Sequence, residues 1–403
     1  MWKFGKVQPV MIILWSKRMS LSEDVTGHGM GMALEVKDWC PLTLSDVTVL
    51  QRYYPVLSGE LNIVWHSPRP FSSACIVHLV QQDVLIKRSH LSFRSVQDIE
   101  QEHHFIAHLA SQRIAVPHLY THSQQGTAIL LDDWVYEVHQ KVPGVDIYAE
   151  QQSWRPFFYT QHAYTVGRYM ARLHHAAKNY AVKHPRDTQY LIANQRIIEK
   201  SDVVKAINLR IANRSGLSAF FAIHPLPAQF WQDVQYFHQR VQSDLVQLPK
   251  LWTHNDLHSS NFIWQDTTAE AEIAAVIDFG LSDLTTAAYD IATAIERNVL
   301  DWLALAQSDD IHVDIASLRG LLEGYISQPH QVESLLILPK LLPLVHIDFA
   351  LYELEYFLDI TQNAAHADAA YAYLLEHLRW FRTKQGQVFL AQLHDLIEEL
   401  VSV

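Results

Sequence analysis

The stretch that decides the fold is His254-Asn255-Asp256-Leu257-His258-Ser259-Ser260-Asn261, with Val276-Ile277-Asp278-Phe279-Gly280 following it along the chain. The first has the form H-x-D-x-x-x-x-N, and the second is two apolar residues followed by D-F-G. Together they supply two carboxylates and an amide in a fixed order. Carboxylate and amide oxygens are ligands that suit Mg²⁺, and an ionised carboxylate can also accept a proton.

Each of these side chains has a place in a phosphoryl-transfer site. Asp256 is the candidate catalytic residue, which orients an acceptor hydroxyl and accepts its proton. Asn261 and Asp278 are the candidate ligands for Mg²⁺ on the phosphates of ATP, and Gly280 permits a sharp turn after the metal ligand. Taken alone, Asp256 and Asn261 are equally typical of residues that cap turns. The D-F-G run at the expected separation favours the phosphotransferase.

A change of pattern divides the chain into a β-rich part and a helical part. We predict an N-terminal extension over residues 1–42, a β-rich N-lobe over 43–138 and a helical C-lobe over 139–403. The predicted fold class is therefore α+β, a two-lobed protein-kinase-like fold with a small β-rich N-lobe and a larger, mostly helical C-lobe. Strands are expected at residues 61–66, 74–79, 84–87, 128–131 and 136–142, and a helix is expected after the N-cap Ser95.

Two residues of the N-lobe are candidates for binding the nucleotide. Lys87 ends an apolar strand in the manner of the V-A-I-K pattern, in which the lysine reaches the α- and β-phosphates. Glu102, on the helix that follows, is the candidate partner that aims this lysine, and Glu100 is the competing choice. The order of the two residues across a strand-to-helix junction supports the pairing.

The loop expected to cover the phosphates contains no glycine. If the second and third strands are placed correctly, this loop is residues 67–73, where Ser72 and Ser73 could donate hydrogen bonds to phosphate oxygens and Arg69 could add charge. The alternative places the phosphate loop earlier, at Ser58-Gly59.

Composition excludes several other classes of protein. The formal net charge of −12 over 403 residues argues against non-specific binding to nucleic acid. Two cysteines cannot form a disulfide framework, which favours a cytoplasmic protein. The apolar run at residues 10–15 is too short to span a membrane, so residues 1–42 are interpreted as a disordered extension or a mis-called start, with Met19, Met30 or Met32 as the initiator. We expect no membrane partner.

The catalytic stretch resembles the aminoglycoside phosphotransferase and choline kinase-like family of small-molecule kinases. His258 stands where eukaryotic protein kinases carry lysine, and Tyr289-Asp290-Ile291-Ala292 is similar to the family's Y-D-L-A. Asp290 follows Asp278 too closely for a long activation loop. Asn255 replaces the family's usual glycine, and Gly280 a residue that is more often acidic.

The resemblance implies further roles and a small-molecule acceptor. His254 would hold the catalytic loop, Asp290 would anchor it, and backbone groups of a hinge near Gln140 and Val142 would contact adenine. By the same analogy, His258, Glu353 and Glu355 are candidates for the acceptor pocket, with Asp348 and Asp359 nearby on the same helical segment. Such a pocket would favour an amine-bearing acceptor, although a solvated helix face is the alternative.

Three other functions compete with a small-molecule kinase. A protein kinase is disfavoured by His258 and by the missing activation segment. A non-catalytic nucleotide-binding protein is favoured only by the atypical phosphate loop. A metalloenzyme built on some of the 24 histidines could use His254 and His258, but position 255 lacks the glutamate of H-E-x-x-H.

Overall fold

The computed structural model describes residues 39–67, 71, 73–149, 151, 154–187 and 190–402. In the described N-lobe, five antiparallel strands form one sheet in the order β1-β2-β3-β5-β4. The strands are β1 (Asn62–His66), β2 (Ser73–His78), β3 (Asp83–His90), β4 (Ala128–Leu131) and β5 (Trp134–Gln140). All five lie where the sequence predicted a strand, with ends that differ by a few residues.

Alternation along β3 sorts its side chains between the two faces of the sheet. Val84 and Ile86 are fully buried in the sheet core, whereas Lys87 lies on the opposite face. Lys87 is the register partner of Glu137 on β5. The strand therefore presents its lysine to the cleft side while its aliphatic residues hold the lobe together.

Two helices belong to the N-lobe, α1 (Leu44–Leu50) and α2 (Val96–Ser111). Helix α2 packs on the sheet and begins at the predicted cap. Ser95 Oγ accepts the Asp98 N–H at 3.1 Å and Asp98 Oδ2 accepts the Ser95 N–H at 2.8 Å, which is a complete capping box. Phe105, Ile106 and Leu109 are buried at helical spacing, as expected, whereas Ile99 packs against the sheet residues Ala128 and Val135.

The described C-lobe is mainly helical, as predicted, and the α+β two-lobed fold class is confirmed. Its helices are α3 (Thr160–Ala177), α4 (Val203–Ala212), α5 (Ser215–Ile223), α6 (Ala228–Leu245), α7 (Ala287–Asn298), α8 (Ile315–Ile326), α9 (Val332–Leu336), α10 (Leu338–Leu341), α11 (Ile347–Asp359), α12 (Ala364–Trp380) and α13 (Lys384–Val401). Short 3₁₀ turns lie at Pro55–Leu57, Ser259–Asn261, Phe279–Leu281, Trp302–Ala304 and Leu342–Leu344.

Helices α3 and α8 approach closely because glycines line their contact. A Cβ atom at Gly167 would lie 1.9 Å from the Leu321 carbonyl oxygen, and one at Gly324 would lie 1.9 Å from the Tyr164 carbonyl oxygen. Neither position can hold a side chain without separating the helices. This contact fixes α3, whose last turn carries a residue of the site described below.

Four short strands within the C-lobe position the two motif loops, and the sequence pattern did not predict them. β6 (Lys250–Thr253) pairs with β9 (Asp283–Thr286), and β7 (Phe262–Trp264) pairs with β8 (Ile273–Val276). The H-x-D stretch connects β6 to β7, and the D-F-G stretch connects β8 to β9. Strands of three or four residues are too short to show a periodic pattern of apolar residues. Their formation depends on partner strands that are distant in the sequence.

Residues 39–42 correct the predicted boundary of the N-terminal extension. Trp39 stacks on His90 with ring centroids 5.1 Å apart, and its Nε1 donates to the Tyr356 hydroxyl on α11 at 2.9 Å. Leu42 is buried with the sheet core. These residues therefore contact both lobes and belong to the folded protein. The rest of the predicted extension, residues 1–38, lies outside the described residues.

Among the residues that the structure describes, one segment, Val332–Asp359, is long and apolar enough to cross a membrane by length and composition alone. It comprises α9, α10 and α11, and 83% of its most apolar window is buried inside the protein. A helix that is buried on most sides is apolar on most of its surface. The burial of this segment is therefore typical of a core helix.

Candidate active site

Asp290 anchors the loop that carries Asp256. Its Oδ1 accepts the Asn255 N–H at 2.7 Å, and its Oδ2 accepts the His254 N–H at 3.4 Å. Asp290 lies in the first turn of α7 and is fully buried. A buried carboxylate that accepts two backbone N–H groups fixes the path of the chain.

The sequence did not single out the residue that holds Asp290. His174 Nε2 lies 2.9 Å from Asp290 Oδ2, and His174 Nδ1 lies 2.9 Å from the Tyr325 hydroxyl on α8. All three side chains are buried. The histidine belongs to the last turn of α3, so the close contact between α3 and α8 places it. No local pattern distinguishes it from His175 beside it.

Asn255 occupies a left-handed backbone position with φ of 63°. This explains why the family's glycine can be replaced here, because asparagine adopts this conformation more readily than other residues with a Cβ. The side chain is also fully bonded: Thr253 Oγ1 donates to Asn255 Oδ1 at 2.7 Å, and Asn255 Nδ2 donates to the Ala193 carbonyl at 2.9 Å. The substitution therefore preserves the turn that presents Asp256.

Asp256 is surrounded by polar groups that orient its carboxylate. Asn261 Nδ2 donates to the Asp256 carbonyl at 2.7 Å and lies 3.4 Å from Asp256 Oδ2. His258 Nε2 lies 3.6 Å from Oδ2, and Arg297 Nη2 lies 3.7 Å from Oδ1. The Asp256 side chain is 15% exposed, so it is reachable from the cleft.

Arg297 is a residue of the site that the sequence did not predict. It is buried between Trp154 and Phe349, whose ring centroids lie 4.5 and 5.0 Å from its guanidinium carbon. Its Nε lies 3.5 Å from Glu296 Oε2. Arg297 follows Asp290 by seven residues on α7, which is about two helical turns. That spacing is a signal by which it could have been found.

Asp278 faces Lys87 across the cleft. Lys87 Nζ donates to Asp278 Oδ1 at 3.1 Å, and the lysine's positive charge lowers the pKa of the Asp278 carboxyl. Asp278 has a left-handed φ of 61° immediately before Phe279. Its side chain is 52% exposed, so the ionised carboxylate is accessible to a cation.

The oxygen atoms near Asp278 suit a hard divalent cation. Asn261 donates hydrogen bonds through Nδ2, and its Oδ1 makes no hydrogen bond to another residue in the described part of the chain. One ionised carboxylate and one amide oxygen are the ligand types that Mg²⁺ uses together with phosphate oxygens. Asn261 and Asp278 are therefore the residues that could hold it. His254 supports this loop, since its Nε2 lies 3.0 Å from the Ile277 carbonyl.

The structure does not place Lys87 and Glu102 in the expected ion pair, although Glu102 lies near enough to favour the charged form of Lys87. Lys87 pairs with Asp278, whereas Glu102 Oε2 lies 3.7 Å from Arg186 Nη2. Buried Arg186 also donates to the Gly280 carbonyl at 3.0 Å, so it ties α2 to the D-F-G turn and takes the glutamate. The competing Glu100 accepts the Thr127 N–H at 3.3 Å and lies away from this contact.

The structure describes only part of the expected phosphate loop. Ser72 and Arg69 lie outside the described residues. Ser73 begins β2, is 6% exposed, and donates from Oγ to the Cys40 carbonyl. The Ser73 hydroxyl is therefore bonded within the protein and is not exposed to a phosphate. In the alternative loop, the Gly59 carbonyl accepts Gln51 Nε2 at 2.7 Å, which ties it to α1.

The expected hinge follows the end of β5. The Gln140 N–H is donated to the His118 carbonyl at 2.8 Å, and the Lys141 N–H to the Asp83 carbonyl at 3.3 Å. Val142, two residues after Gln140, has no backbone hydrogen bond to another described residue. Its N–H and C=O are therefore available at the position where the resemblance places adenine contacts.

The acidic residues expected to line the acceptor pocket do not all lie on one side of α11. Residues two apart on a helix point in nearly opposite directions. Glu353 lies on the side of Arg297 and Asp256, whereas Glu355 is buried in ion pairs with Arg210 and, at 3.0 Å, with Arg214. Asp348 accepts the Ile197 N–H at 2.8 Å. Asp359 lies beside Gly216 on α5. Of these four carboxyls, Glu353 remains a candidate for the pocket.

Burial raises the pKa of Glu353 to about 8; the Arg297 guanidinium opposes this shift and the Asp256 carboxylate adds to it. His258, the other candidate for the pocket, is 8% exposed, with its Nδ1 2.9 Å from Ser260 Oγ. Near neutral pH the wall beside Asp256 therefore contains a protonated carboxyl at Glu353.

We predict that Glu353 makes the protein less stable as pH rises. Its pKa is about 4.5 when unfolded and about 8 when folded, so the folded state binds more protons in this window and the free energy of unfolding falls as pH increases. The loss is on the order of 5 kcal/mol and is complete above about pH 8. Glu353→Gln should remove this part of the pH dependence.

Urea denaturation of wild type and Glu353→Gln at several pH values measures the effect. Exposed Glu398 on α13 offers a matched control, since Glu398→Gln should reproduce the wild-type curve. Parallel wild-type and Glu353→Gln curves from about pH 5 to about pH 8 would contradict the prediction.

A family model described as "Phosphotransferase enzyme family" matches residues 72–325, which is more than half of the chain. The chain belongs to this family. It is therefore a transferase of the kinase type, and the resemblance drawn from the catalytic stretch is confirmed. No curated protein matches the sequence significantly.

Solved structures share the fold at low sequence identity. An amicoumacin kinase in complex with AMP-PNP, Ca²⁺ and Ami is 16% identical with a TM-score of 0.51, covering 87% of this chain and 91% of that chain. A microcompartment-associated aminopropanol kinase is 14% identical with a TM-score of 0.51, covering 88% and 96%. A spectinomycin phosphotransferase in complex with ADP and spectinomycin is 12% identical with a TM-score of 0.52, covering 89% of this chain and 100% of that chain.

Proposed function

We propose that this phosphotransferase moves the γ-phosphate of Mg-ATP to a hydroxyl group of a small, amine-bearing molecule. The observation that carries the proposal is the convergence of four side chains on one cleft between the lobes. Asn261 bonds to Asp256, and Lys87 bonds to Asp278. A carboxylate for the acceptor, two oxygen ligands for a cation and a lysine for phosphates are the groups that phosphoryl transfer requires.

On the nucleotide side, Asn261 and Asp278 would hold Mg²⁺, which neutralises charge on the phosphates when bound. Lys87 would then donate to the phosphates in place of Asp278. The N–H and C=O of Val142 would contact the adenine edge, with Gln140 ending the strand before it. These assignments are supported by the exposure of Asp278 and by the open hydrogen-bonding groups of Val142.

On the acceptor side, Asp256 would accept a hydrogen bond from the acceptor hydroxyl and take its proton as the oxygen attacks. The loop anchored by Asp290 holds the carboxylate in place, and Arg297 lies close enough to stabilise its ionised form. A positioned group of this kind contributes typically about 10²–10⁴-fold to the rate. Asn261 would couple the two sides, because it bonds to Asp256 and offers an oxygen to the cation.

Three observations support an amine-bearing acceptor. The carboxylate of Asp256 and the carboxyl of Glu353 are on the acceptor side of the cleft, and the chain is acidic overall. Two of the similar structures are named for aminopropanol and spectinomycin as substrates. A bound ammonium group would also favour the ionised form of Glu353, which makes this carboxyl responsive to the acceptor.

ADP release with Mg-ATP and a panel of acceptors tests the proposal. The panel contains amino alcohols, aminoglycosides, polyols without an amine, and casein, each with and without Mg²⁺. We expect metal-dependent ADP release with one or more amine-bearing alcohols, and phosphorylated product by mass spectrometry. Transfer to casein alone would show that the protein is a protein kinase. Transfer to polyols alone would contradict the proposal that the acceptor bears an amine. Failure of ATP to bind would overturn the proposed chemistry itself.

A further inference from the structure

Two histidines and a glutamate converge inside the N-lobe, on the face of the sheet that also carries Lys87, the register partner of Glu137. His103 lies on α2, and Glu137 and His139 lie two residues apart on β5, so their side chains share one face of the strand. Their exposures are 2%, 3% and 6%. Buried polar groups of this density are uncommon and require partners.

The three potential ligand atoms already face one another. His103 Nε2 lies 2.8 Å from Glu137 Oε2, and His139 Nε2 bonds to the same oxygen. The two Nε2 atoms and the carboxylate oxygen all lie within 4.8 Å of one another. The two imidazole rings are steeply inclined, at 79° with centroids 5.3 Å apart.

A second contact fixes the orientation of one imidazole. His103 Nδ1 lies 2.8 Å from Thr127 Oγ1, so the ring nitrogen that does not face the cluster is bonded to a neighbouring group. Histidines that bind metals are oriented in this way in most proteins, because a hydrogen bond at one nitrogen directs the other toward the ion.

We infer that His103, Glu137 and His139 form a binding site for a transition-metal ion of the zinc class. Two imidazole nitrogens and one carboxylate oxygen suit Zn²⁺ and its neighbours, whereas Mg²⁺ and Ca²⁺ prefer oxygen donors alone. The site is distinct from the proposed Mg²⁺ ligands and does not rest on the proposed function. Binding requires that the Nε2 atom of each imidazole carries no proton, and it needs no oxidant or reductant.

The cluster needs little rearrangement to accept the ion. Ligand atoms in a tetrahedral zinc site lie about 3.3 Å apart at metal–ligand distances near 2.0 Å, so His103 Nε2, now 2.8 Å from Glu137 Oε2, must move away from it by about half an ångström. A small movement of α2 supplies that shift, and a rotation of the side chains on β5 separates His139 from Glu137. The ion would link the helix to the strand, so occupation should raise the melting temperature.

The experiment uses the full chain, purified without a histidine tag and treated with EDTA. ZnCl₂ is titrated in by calorimetry, and bound zinc is counted after dialysis by elemental analysis. Wild type should bind one zinc ion per chain tightly and melt at a higher temperature with it. His103→Gln and His139→Gln should each lose this site.

Two controls separate the site from other zinc-binding groups. His238 is also buried, with its Nε2 3.0 Å from the Ile198 carbonyl, so His238→Gln measures the effect of removing an unrelated buried histidine. Asp278→Asn removes the proposed Mg²⁺ ligand. Both variants should keep the zinc ion.

Zinc bound equally well by His103→Gln and His139→Gln, or lost in Asp278→Asn, would overturn the inference. If wild type binds no zinc, the cluster is only a glutamate that accepts two imidazole N–H groups. If a histidine variant fails to fold, X-ray absorption spectroscopy of zinc-loaded wild type identifies the ligand atoms instead. Two imidazole ligands support the site, and an all-oxygen shell refutes it.

Discussion

Asp256→Asn is expected to lower kcat by about 10²–10⁴-fold while nucleotide binding is retained. The amide has the shape of the carboxylate, but it cannot take a proton from the acceptor hydroxyl. The loop should keep its course, because Asp290 holds it through the backbone of His254 and Asn255 rather than through the Asp256 side chain. kcat from ADP release, and the melting temperature with and without Mg-ATP, measure the two effects separately.

Asp310→Asn is a suitable control, since Asp310 is exposed and its loop lies outside the cleft. It should leave both kcat and the nucleotide-induced shift unchanged. Wild-type turnover by Asp256→Asn would remove Asp256 from the catalytic role. A loss of the nucleotide shift in that variant would show that Asp256 also supports the nucleotide site through Asn261.

Asp278→Asn is expected to abolish the metal-dependent stabilisation by ATP. The variant loses an ionised metal ligand, and Lys87 loses the carboxylate to which it donates at 3.1 Å. A ligand at about one hundred times its Kd stabilises by roughly 2.7 kcal/mol, which thermal melting detects readily. Wild type should therefore melt at a higher temperature with Mg-ATP than with ATP and EDTA, and the variant should not distinguish the two.

Asp395→Asn, on the exposed face of α13, should behave as wild type in the same melts. A metal-dependent shift that persists in Asp278→Asn would mean that the cation is held elsewhere. If wild type itself shows no shift with ATP, GTP or ADP, the family's chemistry has been lost in this chain and a degenerate binding protein is the better description.

The motif residues could be predicted because their chemistry is local. Asp256, Asn261 and Asp278 lie in two short loops whose order and spacing are typical of phosphoryl-transfer sites, so a single sequence suffices to propose them as candidates. The cap at Ser95 was predictable for the same reason, since a capping box involves residues three apart. The strands of the N-lobe were visible through their alternation.

The groups that support the motif residues could not be predicted in this way. His174 contacts Asp290 across 116 residues, and Arg186 contacts Glu102 across 84 residues of the chain. The expected pairing of Lys87 with Glu102 failed because Arg186, which has no motif, is buried beside the glutamate. Glu355 was misplaced for a simpler reason, since helical phase already separates it from Glu353.

The sequence by itself determined the family and the two-lobed fold, and it proposed three candidate side chains in adjoining loops. The tertiary structure decided which polar groups pair: Lys87 with Asp278, Asp256 with Arg297 and His258, and Glu137 with two imidazoles. The physical reason is that buried charges must find compensating groups wherever the packed helices and strands bring them. Local spacing specifies which atoms the reaction needs, whereas packing specifies which atoms surround them.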